Sequence, residues 1–149
     1  SRGLVGSEMC IRDSIRMDIP NDVIAYTLKT AAETGLQIHL SEVDIIFNTH
    51  DDTRGGGIER YTEITPEMLV AQAKKYEELV KIYMTTVPKD QQYGITFWGF
   101  NDRDTWIRRF FKMRDWPTIY DENLKPKPAF YGFLEGLKSN QISSKSNLN

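Results

Sequence analysis

The chain alternates twice between an amphipathic helix, a short apolar strand and a long polar loop, and this order leaves few folds open. Helical spacing of apolar residues predicts helices over residues 20–34 and 66–87. A buried strand is predicted after each helix, over residues 36–47 and 93–100, and a last helix is predicted from Pro128. Helices alternating with strands form parallel sheets that the helices cover. The sequence therefore predicts an α/β fold.

Composition excludes several classes of partner. The 149 residues suffice for one domain, and the net charge of −2 indicates no affinity for nucleic acid or for an anionic membrane. Apolar runs stay well below the roughly 20 residues that span a bilayer. The single cysteine, Cys10, cannot form an internal disulfide. The sequence has no G-x-G-x-x-G or Walker-type phosphate loop, and we expect no cofactor.

The two ends of the chain differ from the part between them. Residues 1–14, SRGLVGSEMCIRDS, show neither helical nor strand periodicity and are similar to translated adapter sequence. We expect them to be a non-native leader. Residues 139–149 are polar and are expected to be a disordered tail. The domain is therefore expected to cover residues 15–138.

The strand predicted over residues 36–47 carries two acids near its carboxyl end. Side chains alternate along a regular strand, which places Ile38, Leu40, Glu42 and Asp44 on one side. A carboxylate at the end of a buried strand is costly unless it is paired or used. Glu42 is therefore either a catalytic group or the partner of a neighbouring Arg or Lys.

Long loops follow both strands, at the edge where α/β barrels and doubly wound sheets carry their sites. Trp98 ends the second strand and Trp106 lies in the loop after it. Flat aromatic rings beside carboxylates suit the apolar faces and hydroxyl groups of sugars, and core packing is the alternative. For Trp116, which precedes a proline, core packing is the preferred interpretation.

The first loop, residues 48–65, contains three consecutive glycines that make regular structure unexpected there. Its His50, Asp51 and Asp52 carry metal-ligating groups, but a solvated acidic loop explains them equally well. No metal site is predicted.

Three segments, in this order, resemble the glycoside hydrolases of family 10, the endo-1,4-β-xylanases. GLQIHLSEVDI at 35–45 resembles the family's nucleophile signature, which usually ends I-T-E-L-D-I. ITFWGFNDRDTW at 95–106 resembles its last strand and loop, W-G-x-x-D-x-x-[ST]-W. PTIYDENLKPKPAF at 117–130 resembles its P-L-L-F-D-x-x-x-x-P-K-P-A-[YF] segment. The resemblance implies the C-terminal portion of a (β/α)8 barrel, truncated to about helix 6 through helix 8.

The resemblance also implies roles for individual residues. Glu42 matches the catalytic nucleophile, and Asp44 matches an aspartate that helps hold a histidine against it. Trp98 and Trp106 match tryptophans that line the sugar subsite beside the scissile bond. Asp102 matches a supporting aspartate in the loop between them.

The implied activity is retaining hydrolysis of internal β-1,4-xylosidic bonds, with xylan or a xylo-oligosaccharide as partner. The W-x-x-x-N-E segment that carries the family's general acid/base is not in this sequence, nor is the family's strand-6 histidine. His39 is no substitute, because strand alternation points it away from Glu42. We therefore expect the chain to be inactive alone.

Two alternatives stay open. One is a non-catalytic carbohydrate-binding fragment that uses the two tryptophans, and the other is a different retaining β-glycanase on the same barrel, acting on cellulose-type or mixed chains. The family implies a secreted, periplasmic or cell-surface enzyme, although no signal peptide is visible in this chain. The sequence leaves the oligomeric state open.

Overall fold

The computed structural model describes residues 8–12, 14–51 and 56–146, with side chains described for residues 14–49 and 57–138. Its three α-helices are α1 (Asn21–Ala32), α2 (Pro66–Thr86) and α3 (Pro128–Ser146), within the described residues. Helix α2 begins where Thr65 caps it, because the threonine side chain accepts a hydrogen bond from Met68 N. All three predicted helices are confirmed, and so is the predicted α/β fold.

Three strands form a parallel sheet. In the order β1 (Glu8–Arg12), β3 (Gln37–Val43) and β7 (Gln92–Phe97), each strand pairs in parallel with the next. Beyond them, β2 (Ile15–Arg16) pairs in parallel with β4 (Ile45–Ile46). The two chain segments that pair as β1 and β3 thus continue side by side as β2 and β4. The carboxyl ends of all these strands lie at one edge of the sheet.

Secondary structure extends further at both ends than the sequence indicates. Strand β1 lies in the region where no strand periodicity is visible, and α3 runs to Ser146, past the position where disorder was expected. Strand β1 pairs in parallel with β3, and backbone pairing of this kind leaves no local signal in the sequence. That residues 1–14 are a non-native leader stays a prediction.

The glycine-rich loop contains a hairpin that was not expected. Strand β5 (Thr49–Asp51) pairs antiparallel with β6 (Gly56–Ile58). The expectation that the glycines exclude regular structure was wrong here, because ladder hydrogen bonds use only backbone groups. Residues 52–55, between the two strands, are outside the described part of the chain.

The core lies between the sheet and the helices. Buried apolar side chains come from α1, from one face of the sheet, and from α2: Leu28, Ala31, Ile38, Leu40, Val43, Ile45, Tyr76, Leu79, Tyr83 and Val87. The two tyrosines keep their hydroxyl groups bonded, Tyr76 to Pro117 O at 2.6 Å and Tyr83 to Ile38 O at 2.8 Å. Because both hydroxyl groups are hydrogen-bonded, the two large rings fill the core without leaving an unpaired polar group. No helix in the described residues is long and apolar enough to cross a membrane.

Helices α2 and α3 pack closely because α3 carries two glycines at the contact. A Cβ built at Gly132 would lie 2.1 Å from Ala73 O, and one at Gly136 would lie 2.8 Å from Glu77 O and 2.7 Å from Val80 Cβ. Neither position tolerates a side chain unless the helices separate.

We therefore expect Gly132→Ala to destabilise the chain by about 1–3 kcal/mol, although alanine ordinarily favours a helix over glycine by about 0.5–1 kcal/mol. Urea unfolding followed by circular dichroism measures the difference. Val70→Ala, at an exposed position on α2, is the control and should change the free energy of unfolding by less than about 0.5 kcal/mol. A Gly132→Ala variant as stable as the wild type would contradict this close contact.

Candidate active site

A β-bulge interrupts strand β3 at Glu42. Leu40 pairs with Ile95 and Val43 pairs with Phe97, so three steps along β3 match two steps along β7. Glu42 adopts a left-handed backbone conformation with φ of 63°. A residue with a side chain pays about 1–2 kcal/mol for this conformation, and such strained residues cluster at functional sites. Bulges beside active sites re-aim a side chain.

The bulge reverses the alternation of side chains. Ile38 and Leu40 before it, and Val43 and Ile45 after it, all belong to the core that faces the helices. Asp44 therefore lies on the opposite face of the sheet from Ile38 and Leu40. The prediction that these residues share one side assumed a regular strand, and it was wrong because one extra residue shifts the period-2 pattern.

The bulge also changes the argument about His39, because it lies between His39 and the residues that follow Glu42. Its side chain lies on the face away from the helices, where it hydrogen-bonds Thr96 through Nε2 and its ring centroid is 4.8 Å from that of Tyr93. The reason given for excluding His39, that alternation points it away from Glu42, does not hold along a bulged strand. Its bond to Thr96 nevertheless occupies one ring nitrogen.

Asp44 is buried beside Glu42. Trp106 Nε1 donates to Asp44 Oδ2 at 3.0 Å, while Asp44 Oδ1 has no hydrogen-bond partner among the described residues. Burial raises the pKa of Asp44 to about 6; the nearby Ser14 hydroxyl and the hydrogen bond from Trp106 oppose the rise, and the charge of Glu42 adds to it. The tertiary structure thus brings Glu42, Asp44 and Trp106 together from two separate segments of the chain.

The two tryptophans predicted to line a sugar subsite have different surroundings. Trp98 is 45% exposed, and its backbone N donates to Val43 O at 3.3 Å, next to the bulge. Trp106 is partly buried and packs edge-on against Phe111, with ring centroids 5.1 Å apart. Trp98 therefore offers an accessible aromatic face, while the contacts of Trp106 hold its ring in one orientation.

Both carboxylate oxygens of Asp102 are bonded to other groups of the protein. Its Oδ1 accepts from Thr118 N at 2.9 Å and from Thr118 Oγ1 at 2.8 Å, and its Oδ2 lies 2.9 Å from Lys127 Nζ. Burial raises the pKa of Asp102 and the lysine opposes that rise, while burial lowers the pKa of Lys127. Lys127 also donates to Trp116 O at 2.7 Å and to Thr118 O at 2.8 Å. Asp102 thus joins the loop after β7 to the segment before α3.

Sequence reasoning missed two residues that support this region, Lys127 and Asp115. Asp115 accepts backbone hydrogen bonds from Phe47, Asn48 and Trp116 at 2.7–3.2 Å. Burial raises the pKa of Asp115 to about 6 against these bonds. It holds the chain in place where β4 ends. Only the conspicuous P-K-P run marks Lys127 in the sequence, and no pattern marks Asp115.

No group of three or more His, Cys, Asp or Glu residues in the described part of the chain is placed to hold a metal ion. The side chains of His50 and Asp51, and all of Asp52, lie outside that part.

Residues 7–136 match the model of glycosyl hydrolase family 10. The chain belongs to this family. The segments that carry the resemblance in sequence are those that meet at the bulge, at Trp98 and Trp106, and at the Asp102–Lys127 pair.

Curated relatives include endo-1,4-beta-xylanase A of Caldicellulosiruptor saccharolyticus, which is 38% identical over 109 residues, or 72% of this chain and 30% of the relative. Endo-beta-1,4-xylanase Xyn10C of Cellvibrio japonicus is 30% identical over 128 residues, or 81% of this chain and 21% of the relative. The thermostable celloxylanase of Thermoclostridium stercorarium is 30% identical over 117 residues, or 78% of this chain and 29% of the relative.

Among solved structures, a mutant of xylanase 10C from Cellvibrio japonicus in complex with xylopentaose superposes with a TM-score of 0.78 at 29% identity. The superposition covers 88% of this chain and 27% of that one. This chain therefore spans less than a third of the length of each of the three curated relatives named above.

Buried Asp44 should make stability depend on pH. A folded-state pKa of about 6 lies above the usual value of 3.8, so the folded protein keeps a proton that the unfolded chain loses between about pH 4 and 6. As the pH rises through that interval, the free energy of unfolding should fall, and Asp44 alone should account for up to about 3 kcal/mol of the fall. In Asp44→Asn the slope of unfolding free energy against pH should be flatter, as measured by urea titration. Exposed Asp90→Asn is the control, and an unchanged slope in Asp44→Asn would contradict the assignment.

Lys127→Met should destabilise the chain by about 3–5 kcal/mol, because it leaves the buried Asp102 carboxylate without its cation. Exposed Lys125→Met is the matched control and should cost less than about 0.5 kcal/mol. Adding Asp102→Asn to Lys127→Met should recover part of the loss, since it removes the unpaired charge. Equal unfolding midpoints for the two single lysine variants would rule out a supporting role for the pair.

Proposed function

We propose that this chain is the C-terminal portion of a (β/α)8 barrel, from about helix 6 through helix 8. Parallel strands that alternate with covering helices support this, as does the fraction of each relative that the chain spans. The domain expected over residues 15–138 is extended by β1, which pairs with β3, and by the end of α3. The site lies at the carboxyl ends of the strands, where barrels of this type carry their chemistry. Membership of family 10 supports the proposal that the parent enzyme hydrolyses β-1,4-xylosidic bonds, and we propose that it does so with retention.

Glu42 is the proposed nucleophile, and its conformation is the observation that carries the proposal. A glutamate held at φ of 63° on a bulge, beside a buried aspartate, occupies a strained position that a structural ion pair does not require. In the retaining reaction its carboxylate attacks the anomeric carbon and forms a glycosyl–enzyme as the bond to the leaving oxygen breaks. A second carboxyl group about 5–5.5 Å away protonates that oxygen and then activates water.

The buried Asp44 fits the role of a positioning residue. Its Oδ2 is occupied by Trp106, and its Oδ1 offers an acceptor that nothing in the described residues fills. A histidine from the parent's sixth strand would donate to that atom and be oriented toward Glu42. The hydrogen bond from Trp106 to Asp44 fixes the Trp106 ring beside the proposed sugar subsite. Trp98 completes that subsite with its accessible face.

Xylan or a xylo-oligosaccharide is the proposed substrate. A structural relative was solved with xylopentaose, and two of the curated relatives described above are named xylanases. The relative named a celloxylanase keeps the alternative of cellulose-type chains open. We further propose that the parent acts outside the cytoplasm, since polymeric xylan does not enter cells.

The chain alone should not hydrolyse xylan, because it lacks the W-x-x-x-N-E segment with the acid/base, a group that typically contributes about 10²–10⁴ in rate. Release of reducing sugar from xylan is the measurement. Sustained turnover that Glu42→Gln abolishes would show that the chain is active by itself.

A hybrid tests the role of Glu42 directly. The N-terminal barrel segment of a family 10 relative, joined at Ile15, supplies the acid/base and the strand-6 histidine. We expect the hybrid to hydrolyse xylan in preference to cellulose and to release the β-anomer first, as followed by proton NMR. Glu42→Gln should reduce its kcat by at least about 10³, whereas exposed Glu63→Gln should leave kcat unchanged. A fully active Glu42→Gln hybrid would refute the assignment.

A non-catalytic carbohydrate-binding role is the second candidate, supported by the exposed ring of Trp98. It predicts oligosaccharide binding that Trp98→Ala removes, together with a hybrid that shows no hydrolysis.

A further inference from the structure

A cavity of about 360 Å³ opens where α2 and α3 begin, on the segment that precedes α3. We call it the helix-end pocket and define it by Ile64, Leu69, Trp116, Asp121, Glu122 and Asn123, with Pro126 and Pro128 at its edge. Its volume lies in the range of about 300–1,000 Å³ that small-molecule sites occupy. Asp102 and Lys127, which pair with each other, also line it. Glu42, Trp98 and Trp106 do not line it, so it lies apart from the proposed nucleophile and from the proposed sugar subsite.

The lining combines an aromatic ring with apolar and polar groups in the manner of a sugar site. Trp116 is partly buried, and the guanidinium carbon of Arg108 lies 6.0 Å from its ring centroid. Ile64 and Leu69 add aliphatic surface from the start of α2. A pyranose presents an apolar face to such surfaces and directs its hydroxyl groups to acceptors and donors at the edge.

Polar groups at the edge retain capacity for a ligand. Asp121 Oδ1 accepts from the backbone N of Asn123 and of Lys125, each at 2.8 Å, and its second oxygen makes no hydrogen bond within the described residues. Glu122 Oε1 pairs with Arg108 at 2.6 Å. The side-chain amide of Asn123 is exposed and makes no hydrogen bond in the described part of the chain, which leaves both a donor and an acceptor available.

The charged groups around the pocket favour a neutral sugar over an anionic one. The cation at the base of the pocket, Lys127, is already paired with Asp102 at 2.9 Å, and Asp121 and Glu122 lie at the edge. An anionic ligand such as a phosphate or a uronic acid would meet these acids without a free cation. A neutral oligosaccharide would meet acceptors for its hydroxyl groups.

We propose that the helix-end pocket is a second carbohydrate-binding site for a neutral β-linked oligosaccharide, outside the catalytic centre. The choice of a xylose chain as the ligand rests on the proposed function. Its lining comes mainly from the start of α2 and from the segment that leads into α3, two elements that this chain itself supplies. Such a site would hold a polysaccharide chain against the enzyme while another stretch of it occupies the active centre.

The three tryptophans of the chain permit a site-resolved test. Each contributes one indole N–H signal to the proton–nitrogen NMR spectrum of the full chain, assigned through single Trp→Phe variants. Titration with xylopentaose should shift the Trp116 signal saturably, and the shift should persist in Trp98→Ala. Inorganic phosphate should leave that signal in place. A Trp116 signal that xylopentaose does not move, or that phosphate moves instead, would overturn the proposal.

Two substitutions should weaken this response without relying on removal of Trp116. Asn123→Ala takes away an exposed amide, and Leu69→Phe narrows the cavity without adding a fourth indole signal. We expect each to raise the Kd read from the Trp116 signal by about tenfold, the loss of one or two good contacts. Tyr26→Ala, at an exposed aromatic position on α1, is the control and should leave the Kd unchanged. Unchanged Kd values for both pocket variants would place binding elsewhere. The readout is independent of hydrolysis, so it can succeed where the hybrid fails, and the reverse.

Discussion

The bulge at Glu42 is the constraint on which the site depends. Without the extra residue, the apolar positions on either side of it could not all face the helices, and Asp44 would be driven into the apolar core. With it, the core remains continuous along the strand while a carboxylate emerges at the carboxyl end. The left-handed conformation of Glu42 costs free energy, and packing of the strand between two neighbours and a helix layer offsets that cost.

Three buried aspartates surround this strand end, and each is satisfied differently. Asp102 has a lysine and a threonine, Asp115 has three backbone N–H groups, and Asp44 has one indole and an oxygen to which no described residue donates. The first two tie loops together, which is a structural task. Asp44, which keeps one unbonded oxygen, is the one beside Glu42, and this fits the positioning role proposed for it.

The helix-end pocket and the candidate active site differ in which parts of the proposed barrel they need. The pocket is lined mainly by residues of α2 and of the segment before α3, whereas the proposed chemistry at Glu42 needs a second carboxyl group from elsewhere in the barrel. Membership of family 10 and the share of the relatives that this chain spans make that difference intelligible. In the proposed barrel, the pocket lies between two adjacent helices, whereas the catalytic site is built across the barrel mouth.

The helices, the parallel α/β order and the family could be predicted from the sequence, because apolar periodicity and three ordered motifs are local properties of the chain. Glu42, Asp44, Trp98, Trp106 and Asp102 could be named from those motifs. The folded chain was needed to show that strand β3 bulges, that β1 and the β5–β6 hairpin form, and that Lys127 and Asp115 are buried. These features depend on pairing and burial between residues far apart in sequence: Lys127 meets Asp102 across 25 positions and Asp115 meets Asn48 across 67. The residue pattern of one segment therefore cannot predict which side chain of a distant segment will become its partner.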